Sequence, residues 1–307
     1  MSSFQGIWVP IVTPFNQGAI DFVALRRLTL HLLRSGVAGL VVCGTTGEAA
    51  ALSKTEQLAV LDAVLELAPG HQVMMGLAGN NLADLLHQQQ QILQRPVAGL
   101  LVPAPYYIRP SQAALHTFFS TVADASSVPI ILYDIPYRTG VTLHQDTLLA
   151  IVKHPRIVAI KDCGGNLQTT LALLASGDVD LLCGEDPQIF SALCLGATGA
   201  IAASAHIHPE LFVQLHQQVA DSRLAEARET FFRLLPLIQN LFVEPNPAPV
   251  KSALALQGLI NDELRAPMHN SSADTVLQLR ERLAALQNAG AKPGAANTPH
   301  LPSPEQR

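Results

Sequence analysis

Charge is scarce in this chain: Asp, Glu, Lys and Arg make up 14% of its 307 residues, against roughly 25% in an average soluble domain. The 19 basic and 24 acidic side chains leave a net charge of −5. Neither sign gathers into a run, which argues against a nucleic-acid surface. Long hydrophobic runs are also missing. Stretches such as 97–105 and 130–132 fall far short of the roughly 20 residues that a membrane-spanning helix needs. Residues 1–9 carry no basic stretch leading into an apolar one, so no secretory leader is expected and the cytoplasm is the expected compartment. Cysteine is limited to Cys43, Cys163, Cys183 and Cys194, without C-x-x-C spacing, which predicts free thiols rather than disulfides or a metal cluster. No G-x-G-x-x-G follows the first apolar run, where a dinucleotide-binding sheet would need it.

What the chain does have is apolar bulk, 49% of its residues, arranged in a repeating order. Eight short β-rich runs, at 8–13, 39–44, 72–76, 99–103, 129–134, 157–162, 180–184 and 199–204, are continuous rather than alternating. That is the pattern of parallel strands covered on both faces. Helical stretches lie between them. The first opens at Asp21 as N-cap and stops at Ser35-Gly36; the second opens with the capping box Ser53-x-x-Glu56. Eight successive β-α units predict an α/β protein of the (β/α)8 TIM barrel class with a C-terminal helical appendage. The expected division is a barrel over 1–224, helices over 225–290, and a disordered tail over 291–307, where four prolines stand among small and polar residues. Helices are expected near 210–219, 221–242 (with Leu224, Phe231 and Leu235 on one face), 247–259 and 272–289. Phe118-Phe119 and Phe231-Phe232 read as core, and the glutamine run 88–91 as a solvated helix face.

In a barrel of this kind, chemistry belongs at the C-terminal strand ends. These carry Gly44-Thr45-Thr46-Gly47-Glu48, Tyr106-Tyr107, Tyr133-Asp134-Ile135-Pro136-Tyr137-Arg138, Lys161-Asp162 and Gly184-Glu185-Asp186. Lys161 decides the reaction class. It ends a strand predicted to be wholly buried, and burial lowers an amine's pKa and frees it to attack a carbonyl. A lysine that merely snorkels to solvent is the bland alternative. The hydroxyls of Thr45, Tyr107 and Tyr133 and the guanidinium of Arg138 on the same rim favour the catalytic reading. Cys163 shares the strand parity of Lys161 and is expected to face the same pocket, as a filler or as a reagent-sensitive thiol. His206-x-His208 has metal-ligand spacing but no converging third ligand, so a surface or supporting role and no metal are expected. Gly164-Gly165-Asn166 fits any tight turn.

Gly44-Thr45-Thr46-Gly47-Glu48, Tyr133-x-x-Pro136, Lys161-Asp162 and Gly199-Ala200-Ile201 resemble the signature stretches of the dihydrodipicolinate synthase/N-acetylneuraminate lyase family of pyruvate-dependent class I aldolases, in register from about Gly6 to Met268. Arg138-Thr139-Gly140, Tyr106-Tyr107-x-Arg109-Pro110-Ser111 and the stretch 242–251 look like its synthase branch. The resemblance implies an enzyme that condenses pyruvate with L-aspartate 4-semialdehyde in lysine and diaminopimelate biosynthesis. The alternative is an aldolase of the same family acting on another aldehyde or a 2-keto-3-deoxy sugar acid. A non-catalytic barrel is a third reading, disfavoured by the intact Lys161, Tyr133, Thr45 and Tyr107.

By the same resemblance, Lys161 forms the imine with pyruvate and Tyr133 is its acid/base. Thr45 and Tyr107 complete a hydroxyl relay, with Tyr107 contributed across a subunit contact of a homodimer or homotetramer. Thr46 holds the pyruvate carboxylate, Arg138 holds that of the aldehyde, and backbone groups near Gly184 and Ile201 form the pocket floor. No cofactor is implied beyond the covalent imine. The partners implied are pyruvate and an aldehyde, with no membrane or nucleic acid. Asn80, Asp84 and Tyr106 match a lysine-binding allosteric site, whereas Ala49, Lys54 and Gln57 depart from it, which predicts weak feedback. Asp134 replaces the more usual asparagine, and an extra carboxylate beside the imine would raise the pKa of Lys161 or Tyr133.

Overall fold

A computed structural model describes residues 4–290 of the chain; the tail expected over 291–307 lies outside the described residues. Eight parallel strands close into a barrel in which each pairs with its sequence neighbours, and the last pairs with the first. They are β1 (Gly6–Val9), β2 (Gly39–Val42), β3 (Val73–Gly76), β4 (Gly99–Pro103), β5 (Ile130–Asp134), β6 (Ile157–Asp162), β7 (Asp180–Cys183) and β8 (Gly199–Ile201). β1 stops short of the run 8–13 because Pro10 has no N–H to give the ladder. A two-residue hairpin, Phe15–Asn16 with Ala19–Ile20, follows it.

The barrel wall separates two apolar cores. The inner one takes a side chain from every strand: Trp8, Val41, Met74, Leu101, Ile131, Ala159, Leu182 and Ile201. The outer one holds intervening residues such as Val42, Leu100, Leu132 and Ile160 against the helices. Because both faces of each strand are buried, the strands read as unbroken apolar runs. The single Trp8, packed against Phe4 with ring centroids 5.6 Å apart, plugs the N-terminal end. Gly39 makes room for it, since a Cβ there would collide with the indole. The plug leaves the C-terminal end as the open mouth.

The surrounding helices are α1 (Phe22–Arg34), α2 (Lys54–Leu65), α3 (Leu82–Ile92), α4 (Gln112–Asp124), α5 (Gln145–Ile151), α6 (Leu167–Ser176), α7 (Ile189–Cys194) and α8 (Pro209–Ala220). The expected caps are present: Asp21 accepts from the Ala24 N–H, and Ser53 and Glu56 form a capping box. Three further helices complete the described chain, α9 (Leu224–Asn240), α10 (Ala248–Leu256) and α11 (Ala273–Gly290). No helix among the described residues is long and apolar enough to cross a membrane.

Several side-chain readings need correction. Gln88 and Gln89 are buried rather than solvated. Gln88 Nε2 donates to Gln57 Oε1 at 2.7 Å and Gln89 Nε2 to the Val122 carbonyl at 3.0 Å, so the amides brace α3 against its neighbours. Phe231 stacks on Phe190, but Phe232 is exposed, because consecutive helical residues point about 100° apart. Leu224, in the first turn of α9, is also exposed, and the buried face runs through Ala227, Phe231, Leu234 and Ile238. His206 is wholly buried and not at the surface. Its Nε2 accepts from the Val12 N–H at 3.1 Å, its Nδ1 lies 2.8 Å from the Ala203 carbonyl, and burial pushes its pKa down to about 4. It therefore joins β1 to the β8 loop as a neutral group.

Candidate active site

A cavity of about 340 Å³ opens at the barrel mouth, lined by Thr45, Thr46, Tyr133, Tyr137, Arg138, Lys161, Gly184, Asp186, Ile201, Ala203 and residues 242–246. It brings together the residues expected to carry catalysis and substrate binding, apart from Tyr107; of the other strand-end residues, Glu48, Tyr106, Asp134, Asp162 and Glu185 do not line it. A wider hollow, about 640 Å³, lies elsewhere around 152–158 and 177–180, with no buried nucleophile in its wall.

Parity explains the arrangement. On β6, Ala159 and Cys163 belong to the inner core, so Lys161 between them points inward as well. It is 7% exposed, and its Nζ sits 4.3 Å from the centroid of the Tyr133 ring. Tyr133 and Lys161 are direct partners across β5 and β6. Gly184 is required beside them: a Cβ there would stand 2.9 Å from Lys161 Cε and would also strike the Cys163 sulfur. Burial, with Cys163 nearby, pushes the Tyr133 phenol well up, against the opposing hydrogen bond from Thr45 and the charge of Arg138. The phenol therefore stays protonated until a substrate group takes its proton. Burial also pushes the Cys43 and Cys183 thiols up to about 12 and Cys163 well up, so these thiols are fillers with little thiolate at neutral pH.

The loop after β2 is backbone-strained. Cys43 and Glu48 both have positive φ, 52° and 54°, a conformation that costs a non-glycine residue about 1–3 kcal/mol. Between them stand Thr45 and Thr46. Three contacts from the C-terminal helical region hold this loop. Asn246 Nδ2 donates to Thr46 Oγ1 at 2.9 Å. Glu48, buried, forms an ion pair with the wholly buried Lys251 and accepts from the Arg265 N–H at 3.1 Å. Burial pushes the Lys251 ammonium down, opposed by Glu48. Neither Asn246 nor the Glu48–Lys251 pair was marked by any spacing in the sequence.

Tyr107 is not brought into the cavity. It is 88% exposed with φ 72°, and within one chain its hydroxyl stays out of the site. Of the allosteric candidates, Asn80 Oδ1 accepts from the Tyr106 N–H at 3.0 Å, Ala49 opens a short 3₁₀ turn, and Asp84 lies near Lys54, whose ammonium burial pushes down against the opposing effects of Cys43 and Asp84.

The expectation for Asp134 is overturned. It neighbours Tyr133 on β5 and so points to the opposite face of the wall, away from the imine position. There it packs beside Asp162 over Gly164. Asp162 is satisfied by the Gly164 N–H at 2.9 Å and the Thr170 hydroxyl at 2.6 Å. Asp134 is pushed up to about 7 by burial and by Asp162. An acid with a raised folded pKa costs stability as pH rises from the ordinary aspartate value to the folded one. Asp134→Asn, whose amide is able to donate to Asp162, is therefore expected to raise Tm by several degrees at pH 8, with the gain closing towards pH 4. Thermal melts across that range check it, and a pH-independent difference would contradict it.

Comparison with known proteins agrees with this geometry. The sequence model of the Dihydrodipicolinate synthetase family matches residues 3–286. The chain belongs to that family. A 4-hydroxy-tetrahydrodipicolinate synthase of Trichlorobacter lovleyi is 38% identical over 273 residues, covering 88% of this chain and 94% of that protein. The crystal structure of a dihydrodipicolinate synthase from Thermotoga maritima superposes with a TM-score of 0.90 at 32% identity, covering 93% of this chain and 99% of that one. A structure described as a monomeric dihydrodipicolinate synthase variant superposes at 0.89, also at 32% identity, covering 92% and 97%. Family membership covers the barrel and the helices behind it, including the stretch 242–246 that walls the cavity.

Among the described residues no cluster of three or more His, Cys, Asp or Glu is placed to hold a metal ion. Asp186, which the cavity also touches, is committed within the protein. Its Oδ2 accepts from the Ser204 N–H at 2.6 Å, and burial pushes its carboxyl up to about 6.

Proposed function

We propose that this chain condenses pyruvate with L-aspartate 4-semialdehyde to 4-hydroxy-tetrahydrodipicolinate, in the route to lysine and diaminopimelate, through an imine on Lys161. The observation that carries the reading is a buried, inward-pointing Lys161 beneath the Tyr133 ring, in a cavity whose mouth holds Arg138. Lys161 Nζ attacks C2 of pyruvate, and the protonated Tyr133 supplies the proton that lets the ketone oxygen leave as water. Loss of a C3 proton gives the enamine, and C3 then attacks the aldehyde carbon. Asn246 donates to the Thr46 oxygen, which leaves the Thr46 hydroxyl hydrogen free for the pyruvate carboxylate. Backbone groups at Gly184 and Ile201 close the floor. The route draws on no cofactor, since the imine itself accepts the electron pair, and soluble substrates suit a cytoplasmic enzyme. Borohydride reduction in the presence of pyruvate, followed by intact mass and peptide mapping, tests the reading: an adduct on Lys161 is expected, and its absence would overturn it.

Arg138 forms no ion pair or side-chain hydrogen bond among the described residues, which suits a guanidinium that waits for the acceptor's carboxylate. Arg138→Ala is expected to raise KM for the aldehyde by roughly 10-fold or more and to leave the yield of trapped pyruvate adduct unchanged. Equal loss in both half-reactions would contradict the role.

The exposed Tyr107 fits a contribution to a second copy's site, as a homodimer or homotetramer would allow. A fully active chain that sediments as one copy would exclude it. Lysine feedback is expected to be weak. Lys54 places a cation near Asp84, where an incoming ammonium would otherwise pair, and Ala49 offers no hydroxyl. Initial rates over a lysine titration check this, and half-inhibition well below millimolar lysine would contradict it.

A further inference from the structure

On the reading just proposed, Tyr133 gives its proton to a group carried by Lys161, so the ends of β5 and β6 have to be held in register. The ladder sets Tyr133 opposite Lys161 and, one residue further on, Asp134 opposite Asp162. Tyr133 and Lys161 point inward, so the two aspartates share the outer face of the wall. Their carboxyls close on a single point: a Cβ on Gly164 would stand 2.5 Å from Asp134 Oδ2 and 3.3 Å from Asp162 Oδ1. We infer that Asp134 and Asp162 are positioning residues, a pair of carboxyls that shares one proton and thereby clamps together the two strand ends that carry Tyr133 and Lys161.

Hydrogen bonding assigns the proton to one member. Asp162 Oδ1 accepts from the Gly164 N–H and its Oδ2 from the Thr170 hydroxyl, donors that favour the ionised form. Asp134 is 7% exposed, and among the described residues no N–H or O–H donates to its carboxyl. A carboxyl in that setting is held as the acid, and its O–H donates to the carboxylate beside it. Burial and Asp162 push it up to about 7. The surroundings bring no cation to the pair. Asp162 is faced by the Cys183 thiol of β7 and shares a hollow with Glu185, Asn166 and Thr170, none of which carries positive charge. While Asp134 keeps its proton, the clamp is one acid and one anion. Once the proton is lost, two anions stand across the ladder, and their repulsion works to part the strand ends. A displacement of about 1 Å between reacting groups costs on the order of 100-fold in rate, so a small opening registers in the transfer from Tyr133.

The test follows imine formation with pyruvate alone, by borohydride quenching at timed intervals from pH 6 to pH 8.5, at a temperature well below the melting of every variant. Asp134→Asn replaces the shared proton by an amide N–H that donates to Asp162 at every pH. Dividing its rate by that of the wild type cancels the titrations common to both proteins. The ratio is expected to stay within about twofold of one at pH 6 and to rise to roughly fivefold or more at pH 8.5, with its midpoint near the Asp134 value of about 7. Asp134→Ala has neither proton nor amide and should form the imine slower than Asp134→Asn by roughly fivefold or more at every pH. A ratio that stays flat or falls over this range would overturn the clamp. Folded Asp134→Ala that forms the imine as fast as Asp134→Asn would overturn it too, because the carboxyl would then matter to stability alone. If Asp134→Ala does not fold, the pH course of the Asp134→Asn ratio decides by itself. Wild-type protein that gives no adduct at any pH would overturn the imine on Lys161 together with the clamp, whereas a normal wild-type adduct with a flat ratio overturns the clamp alone. Since no aldehyde is added, the identity of the acceptor does not enter the result.

Discussion

Lys161→Ala is expected to yield no borohydride-trapped pyruvate adduct and to lose kcat by roughly 10⁴-fold or more, the scale seen when a covalent nucleophile is removed. No other described lysine can take its place. Lys153 follows α5 and is exposed, and Lys54 opens α2, outside the cavity wall. Lys251, although buried, is held by Glu48, by the Glu263 carbonyl at 2.8 Å and by the Phe15 ring at 4.3 Å. Alanine also empties space in the packed inner core, so Lys161→Met serves as the volume control. It should match the parent's circular dichroism and melt cooperatively while remaining free of adduct. Mass spectrometry of the reduced complex reads the outcome directly. A trapped adduct in either variant would move the nucleophile elsewhere and remove the basis of the proposed mechanism.

The fold was open to sequence reading because its signals are local. Two-sided burial makes each strand a continuous apolar run, and the caps at Asp21 and Ser53 are written in adjacent residues. The same period of two placed Cys163 beside Lys161. Applied one residue further along β5, it also sends Asp134 away from Tyr133, a step that chemical likeness to an imine-side carboxylate obscured. What escaped was non-local. Glu48 and Lys251 come from opposite ends of the chain, as do Thr46 and Asn246, and nothing in either segment announces its partner. The buried glutamines of α3 show the same limit. An amide reads as solvent-facing until another element supplies the acceptor that makes burial tolerable.

The buried pair of Glu48 and Lys251 is where the second large effect is expected. Both side chains are essentially without solvent, 3% and 0% exposed, so each charge depends on the other for compensation. Glu48→Ala leaves the Lys251 ammonium buried beside Phe15 and the cationic Arg265, whose guanidinium carbon lies 4.6 Å from the same ring. Breaking one side of such a pair costs about 3–5 kcal/mol, which corresponds to a fall in Tm on the order of 10 °C for a chain of this size. Lys251→Met should cost less, because Glu48 keeps the Arg265 N–H, while its carboxylate still loses its counter-ion. The double variant Glu48→Gln with Lys251→Met leaves no buried charge and is expected to be markedly more stable than the sum of the single losses. The loop that Glu48 ends is strained at Cys43 and Glu48 itself, so its release should also loosen Thr45 and Thr46. In Glu48→Ala, KM for pyruvate is expected to rise several-fold at temperatures where the protein remains folded. Thermal melts of the three variants, with pyruvate kinetics below each transition, decide the matter. Single losses below about 0.5 kcal/mol would mean that water reaches the pair and that the C-terminal helices do not hold the loop through it.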